Sequence, residues 1–141
     1  MLVTIDQAEA LIAAARKYAK QQNMKPLTIA VLDAGGHLQA LIREDGTSNL
    51  RPEIAQGKAR GAISMGLGSR ALYNRAQEQP YFIQAMNGLS GGSLVPVPGG
   101  VLIKQDGAII GAMGITGDSS DNDEACAIFA IEQNGFVADA G

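Results

Sequence analysis

Arg43, Asp45, Lys58 and Arg60 gather three cations and an acid in one stretch of the chain. Such a set can grip a carboxylate through charge-assisted hydrogen bonds. Arg43 falls at the end of a predicted strand, and Lys58 and Arg60 lie on the helix predicted to follow. The competing reading is a solvated charged face, where ion pairs contribute little. His37 is the only histidine and follows a DAGG turn. With no second histidine and no evident carboxylate companion, a metal centre or a Ser-His-Asp triad has little to stand on. A surface turn residue or a ligand contact, axial ligation included, remains. Asp121, Asp123 and Glu124 open a helix-like segment, where acids either cap exposed amides or touch a ligand.

Glycine marks a second region. Half of the 18 glycines fall between Gly88 and Gly117, among β-branched residues. Glycine is tolerated where φ is positive or where another backbone approaches closely, so this run implies a tight sheet with something pressed against it. Gly99 and Gly100 either let main-chain amides approach a ligand or form a bulge. Gly57 and Gly61, inside a helical pattern, cost about 1 kcal/mol each against alanine and call for a compensating close contact.

Three motif matches fail on context. Gly66, Gly68 and Ala71 have dinucleotide-fingerprint spacing but follow a helix, which favours a helix-to-helix turn. Gly99 to Lys104 lacks the second glycine and the hydroxyl residue of a phosphate loop. Asp121, Asp123 and Glu132 take positions of a calcium loop, yet Ala125, Cys126 and Phe129 offer no side-chain oxygens.

The elements that must position these residues follow from periodicity. Thr4 and Gln7 form a capping-box pattern ahead of a helix from Ile5 to about Gln22. Alternation from Leu27 to Leu32 and from Leu38 to Arg43 around DAGG predicts a β-hairpin. A helix starting at Pro52 runs to about Met65, two short helices cover Ser69–Ala76 and Tyr81–Met86, and strands span Val101–Lys104 and Ala108–Ile115. A last helix runs from Asp121 to Gln133. Hairpins bracketed by helices predict an α+β fold with an antiparallel sheet.

A chain of 141 residues fits one domain, residues 1–141, able to bury a full core. A net charge of −3 argues against nucleic acid and anionic membrane as partners. No apolar run reaches membrane-spanning length. The first residues read as a helix rather than a secretory signal, which predicts a cytoplasmic protein. The single cysteine, Cys126, excludes an internal disulfide and reads as a small buried hydrophobe.

Four blocks, IAVLDAGGHLQALIREDG, GKARGAISMG, PGGVLIKQDGAIIGAMGITG and DNDEACAIFAI, occur in order along nearly the whole chain. Together they resemble the GlcG/HbpS family, which includes the carboxy-terminal domain of PduO-type cobalamin adenosyltransferases. The resemblance implies a central antiparallel sheet of about five strands flanked by helices, assembly into homo-oligomers, and haem or corrinoid association for some members. The chain departs from the family pattern at Leu102, where proline is common, and in its first helix, which lacks the histidine that serves the PduO branch as haem ligand. His37, Tyr18, Tyr73, Tyr81 or a methionine could take that role chemically.

Three functions are compatible with these residues. The first is an oligomeric accessory protein binding haem or another carboxylated tetrapyrrole. The second is an enzyme acting on a small organic acid, with Arg43 or Lys58 holding the carboxylate and Asp33, Asp123 or Glu124 as general base. The third is a structural or regulatory subunit using the Gly57 and Gly61 face as an interface. The ligand-contact set is therefore Asp33, His37, Arg43, Asp45, Lys58, Arg60, Gly99, Gly100, Asp123 and Glu124, with no metal site.

Overall fold

Thr4 caps the first helix, α1 (Ile5–Gln21), through the predicted box: its hydroxyl accepts from the Gln7 amide at 3.1 Å, and the Gln7 side chain accepts from the Thr4 amide at 2.9 Å. The structure, a computed structural model, describes residues 2–141. After α1 come the hairpin β1 (Thr28–Asp33) and β2 (Leu38–Arg43), then α2 (Arg51–Met65), α3 (Ser69–Glu78) and α4 (Pro80–Leu89). A second hairpin, β3 (Gly100–Gln105) and β4 (Ala108–Thr116), leads to α5 (Ser120–Gln133) and a short strand, β5 (Val137–Asp139). The five strands form one antiparallel sheet in the order β2-β1-β4-β3-β5, so the fold is α+β as expected. The edge strand β5 was not among the predicted elements; three residues are too few to show a period of two.

Both sheet faces are covered. Ile29, Val31, Val101, Ile103, Met113 and Ile115 point to the layer of α1 and α5, meeting Leu11, Ala15, Ala127 and Ile131. Leu32, Leu102 and Ala112 point the other way, to Ala59 and Ala62 of α2. This double burial explains why β1 is apolar at almost every position rather than at alternate ones.

The object pressed against the glycine-rich strands is α2 itself. Ala30, Gly114 and Gly100 sit side by side across β1, β4 and β3. A Cβ on Gly114 would run into the Ala55 carbonyl, and one on Gly100 into the Lys58 carbonyl. The helix backbone lies directly on this strip of small residues. On its opposite side, Gly57 and Gly61 receive Val95 and Leu94, and the Val95 amide donates to the Gly57 carbonyl at 3.1 Å. The close contact that compensates these glycines is thus internal, which removes the reason for assigning them to a subunit interface. Above it, Leu72, Ile83 and Leu94 form a small separate cluster under α3 and α4.

Among the described residues, no helix is long and apolar enough to cross a membrane. Gly114→Ala is expected to destabilise the protein by about 3 kcal/mol, because neither the sheet nor the helix backbone can yield. Gly88→Ala, in α4 with open space around it, is expected to be stabilising by up to about 1 kcal/mol. Urea denaturation of the two variants checks the contrast.

Candidate functional site

Lys58 and Asp123, weighed separately as ligand contacts, turn out to face each other. Asp123 lies in the first turn of α5, whose N-cap Ser119 accepts from the Asn122 amide at 3.1 Å. Lys58 Nζ donates to Asp123 Oδ2 at 3.3 Å and to the Ile115 carbonyl at 2.9 Å, while Asp123 Oδ1 accepts from the Asp118 amide at 3.0 Å. Their side chains are 3% and 1% exposed. Burial pulls the Lys58 ammonium below its ordinary value and pushes the Asp123 carboxyl up, and in each case the opposite charge works against the shift. Gly99, at φ +123°, leaves room for the lysine: a side chain there would meet Lys58 Cδ and Nζ. The pair ties α2, on one face of the sheet, to α5 on the other. Neither residue is free for a ligand.

Gly99 and Gly100 are accordingly packing positions, and the irregularity in β3 lies between Ile103 and Lys104 instead. The proposed four-residue cluster is dispersed as well. Lys58 is buried, Arg43 and Asp45 are exposed at the end of β2 and in the following loop, and Arg60 donates from Nε to the Gly36 carbonyl at 3.2 Å. Positions 58 and 60 on a helix point in different directions, so proximity in sequence did not mean a shared site. Glu124 is taken by Arg70, which bonds both its carboxylate oxygens at 3.0 and 3.1 Å and Asp121 at 2.6 Å.

One group of predicted residues does converge. The Asp33 carboxylate accepts from the amides of Gly35 and His37 at 2.9 and 3.0 Å and lies 3.3 Å from His37 Nδ1. The His37 backbone amide is the largest influence holding Asp33 below the usual carboxylate value. His37 thus has the carboxylate companion that sequence inspection did not find, because a tight turn rather than a helix brings positions 33 and 37 together. The imidazole is 81% exposed. Nδ1 is the ring nitrogen nearer Asp33, and a carboxylate beside an imidazole is the kind of partner that supports a metal-ligating histidine. Arg60 braces the same turn through Gly36. It also borders an open groove of about 330 Å³ whose walls include Leu50, Ile54, Gly57 and Val95.

Other side chains are structural. Cys126 donates to the Ala15 carbonyl at 3.3 Å, and burial pushes its thiol up to about 12. Tyr18 stacks on Phe129 with ring centroids 4.7 Å apart. Among the described residues, no three His, Cys, Asp or Glu side chains cluster closely enough to hold a metal ion by themselves.

The family model described as "Haem degrading protein HbpS-like" matches residues 3–132. Protein GlcG of Escherichia coli strain K12 is 34% identical over 120 residues, covering 82% of each chain. Among solved structures, a PduOC:heme complex superposes with a TM-score of 0.86 at 26% identity, over 96% of this chain and 97% of that one. HbpS superposes with a TM-score of 0.81 at 24% identity, over 94% and 90%, which shows the shared fold.

Removing one member of the buried pair exposes its role. Lys58→Met is expected to cost about 3–5 kcal/mol, and the double variant Lys58→Met/Asp123→Leu less than the sum of the two single changes. The loss in Lys58→Met should be smallest below the ordinary aspartate value of 3.8 and grow toward neutral pH. The buried carboxyl, its pKa raised, must then either keep its proton or carry an unpaired charge. Denaturant unfolding at two pH values reads both effects.

Proposed function

Because this chain belongs to the HbpS-like family, we propose that it is a haem-binding accessory protein in which His37 supplies the axial ligand. The observation that carries this reading is the Asp33–His37 contact, which places an exposed imidazole next to a carboxylate on a turn that Arg60 also holds. Haem is the first ligand to test and a corrinoid the second, since both offer a metal open to imidazole and acidic or amide side chains. Arg60 is the group placed to meet a propionate. Bound haem would contribute an iron centre for ligand binding or redox chemistry; the protein's part is to hold His37 in one orientation through Asp33.

The open groove beside Arg60 cannot enclose a macrocycle by itself, so the ligand would be shared between protomers. Homo-oligomerisation is part of this proposal. Helix α4 carries no charged residue and leaves Tyr81 and Leu89 exposed, a surface suited to contact with a second copy. The alternative enzyme on an organic acid loses three of its candidate groups, because Lys58 and Asp123 are engaged with each other and Glu124 with Arg70.

Titration of the purified protein with haemin, followed by the Soret band, tests the proposal. A saturable shift is expected, weakened more than tenfold by His37→Ala and by roughly 10- to 100-fold in Asp33→Asn, which removes the orienting charge. A parallel titration with cobalamin separates haem from corrinoid. Absence of any saturable shift with either compound, or full binding by His37→Ala, overturns the reading.

A further inference from the structure

A second cleft opens at the opposite end of β1 from His37, roughly 17 Å along the strand. Its volume is about 320 Å³, and it is lined by Lys25, Pro26, Gly46, Thr47, Ser48, Arg51 and Gly117. Two cations and two hydroxyl residues line it, with no acidic side chain, in a chain whose net charge is −3.

Arg51 is the informative member. Its Nη1 donates to Thr116 Oγ1 at 2.6 Å and its Nε to Ser48 Oγ at 3.3 Å, so the guanidinium is held in place by neutral groups. Among the described residues it makes no ion pair. It also lies close enough to the buried Lys58 for its charge to disfavour the ammonium there. The Lys58 charge is met by Asp123, whereas the half-buried guanidinium of Arg51 has only neutral partners and its long side chain is already fixed in position. Two of the nearby acids are engaged elsewhere, and Asp45 and Glu53 are exposed and do not line the cleft. Asp118 accepts from the Lys25 amide at 2.8 Å, from the Ser119 amide and from Asn122 Nδ2, and Glu44 binds the Leu27 amide and Arg16. Next to Thr116 across the strands, the buried Thr28 hydroxyl has no hydrogen-bond partner among the described residues. Helix α2 adds the positive end of its dipole, and its N-cap Leu50 provides no side-chain acceptor.

We propose that this cleft binds a small anionic ligand, a carboxylate or phosphate group, held by Arg51 and Lys25 with the Ser48 hydroxyl, which accepts from Arg51 and keeps its own proton to donate, as hydrogen-bonding partner. The fixed guanidinium matches the planar, two-oxygen face that both groups present. Its volume is at the lower end for small-molecule sites and suits a compact organic acid or phosphate ester rather than a macrocycle. The cleft is independent of His37.

Isothermal titration with inorganic phosphate and with malonate, at ionic strength held constant with chloride, tests this site. Saturable binding of either anion supports it, and the preferred one identifies the ligand's acidic group. Arg51→Gln and Lys25→Gln should each weaken that binding at least tenfold, whereas Lys17→Gln, on the exposed face of α1, should leave it unchanged. Should Arg51→Gln fail to fold, Lys25→Gln decides, since Lys25 is exposed. Lack of saturation by both anions up to on the order of 10 mM, or undiminished binding in the variants, overturns the proposal.

Discussion

Helix α2 rests on the sheet with its backbone rather than on a cushion of side chains, and much of the molecule follows from that. The approach is possible only over Gly100 and Gly114, flanked by Ala30, and it demands small residues on the helix as well, at Ala55, Ala59 and Ala62. A helix this close leaves no space for a large side chain between the layers. The long side chain of Lys58, sent inward from mid-helix, runs past Gly99 and reaches α5. Close packing, a buried ion pair and the placement of two loop clusters are thus consequences of the same constraint.

The constraint also separates the two candidate sites. The carboxy-terminal half of α2 supports the β1–β2 turn through Arg60 and Gly36, while its first residue, Arg51, reaches Thr116 near the end of β4. A single rigid helix therefore addresses both ends of β1. Its position is fixed on three sides: by the glycine strip below, by Leu94 and Val95 above, and by the Lys58–Asp123 pair at the sheet end. Residues at its two ends are consequently held on a closely packed support, which is what a binding site requires of its scaffold.

Most of the fold was legible in the sequence, because the capping box at Thr4, the DAGG turn between two apolar stretches and the acid-rich start of α5 are local signals. The meaning of the glycine run was legible only in part. Spacing said that something approaches the sheet, but the identity of that object depended on which face α2 would choose. Site residues were harder still. Lys58 and Asp123 lie far apart in sequence, and nothing local distinguishes a buried charge from a solvated one. The Asp33–His37 contact was within reach of a turn-based reading, since an aspartate that bonds amides two and four residues on brings its carboxylate back over the turn. Arg51 drew no notice because it precedes Pro52, where a helix start already accounts for the sequence.

Cys126 is sealed between α5 and α1, its thiol bonded to the Ala15 carbonyl and strongly biased against the reactive thiolate. Alkylating reagents can reach it only when the two helices part, so the protein carries a built-in clock for that opening. The thiol is equally shielded from peroxide and other oxidants. The only sulfhydryl in the chain is buried between closed helices, so oxidative cross-linking of one chain to another through it is blocked while the fold holds.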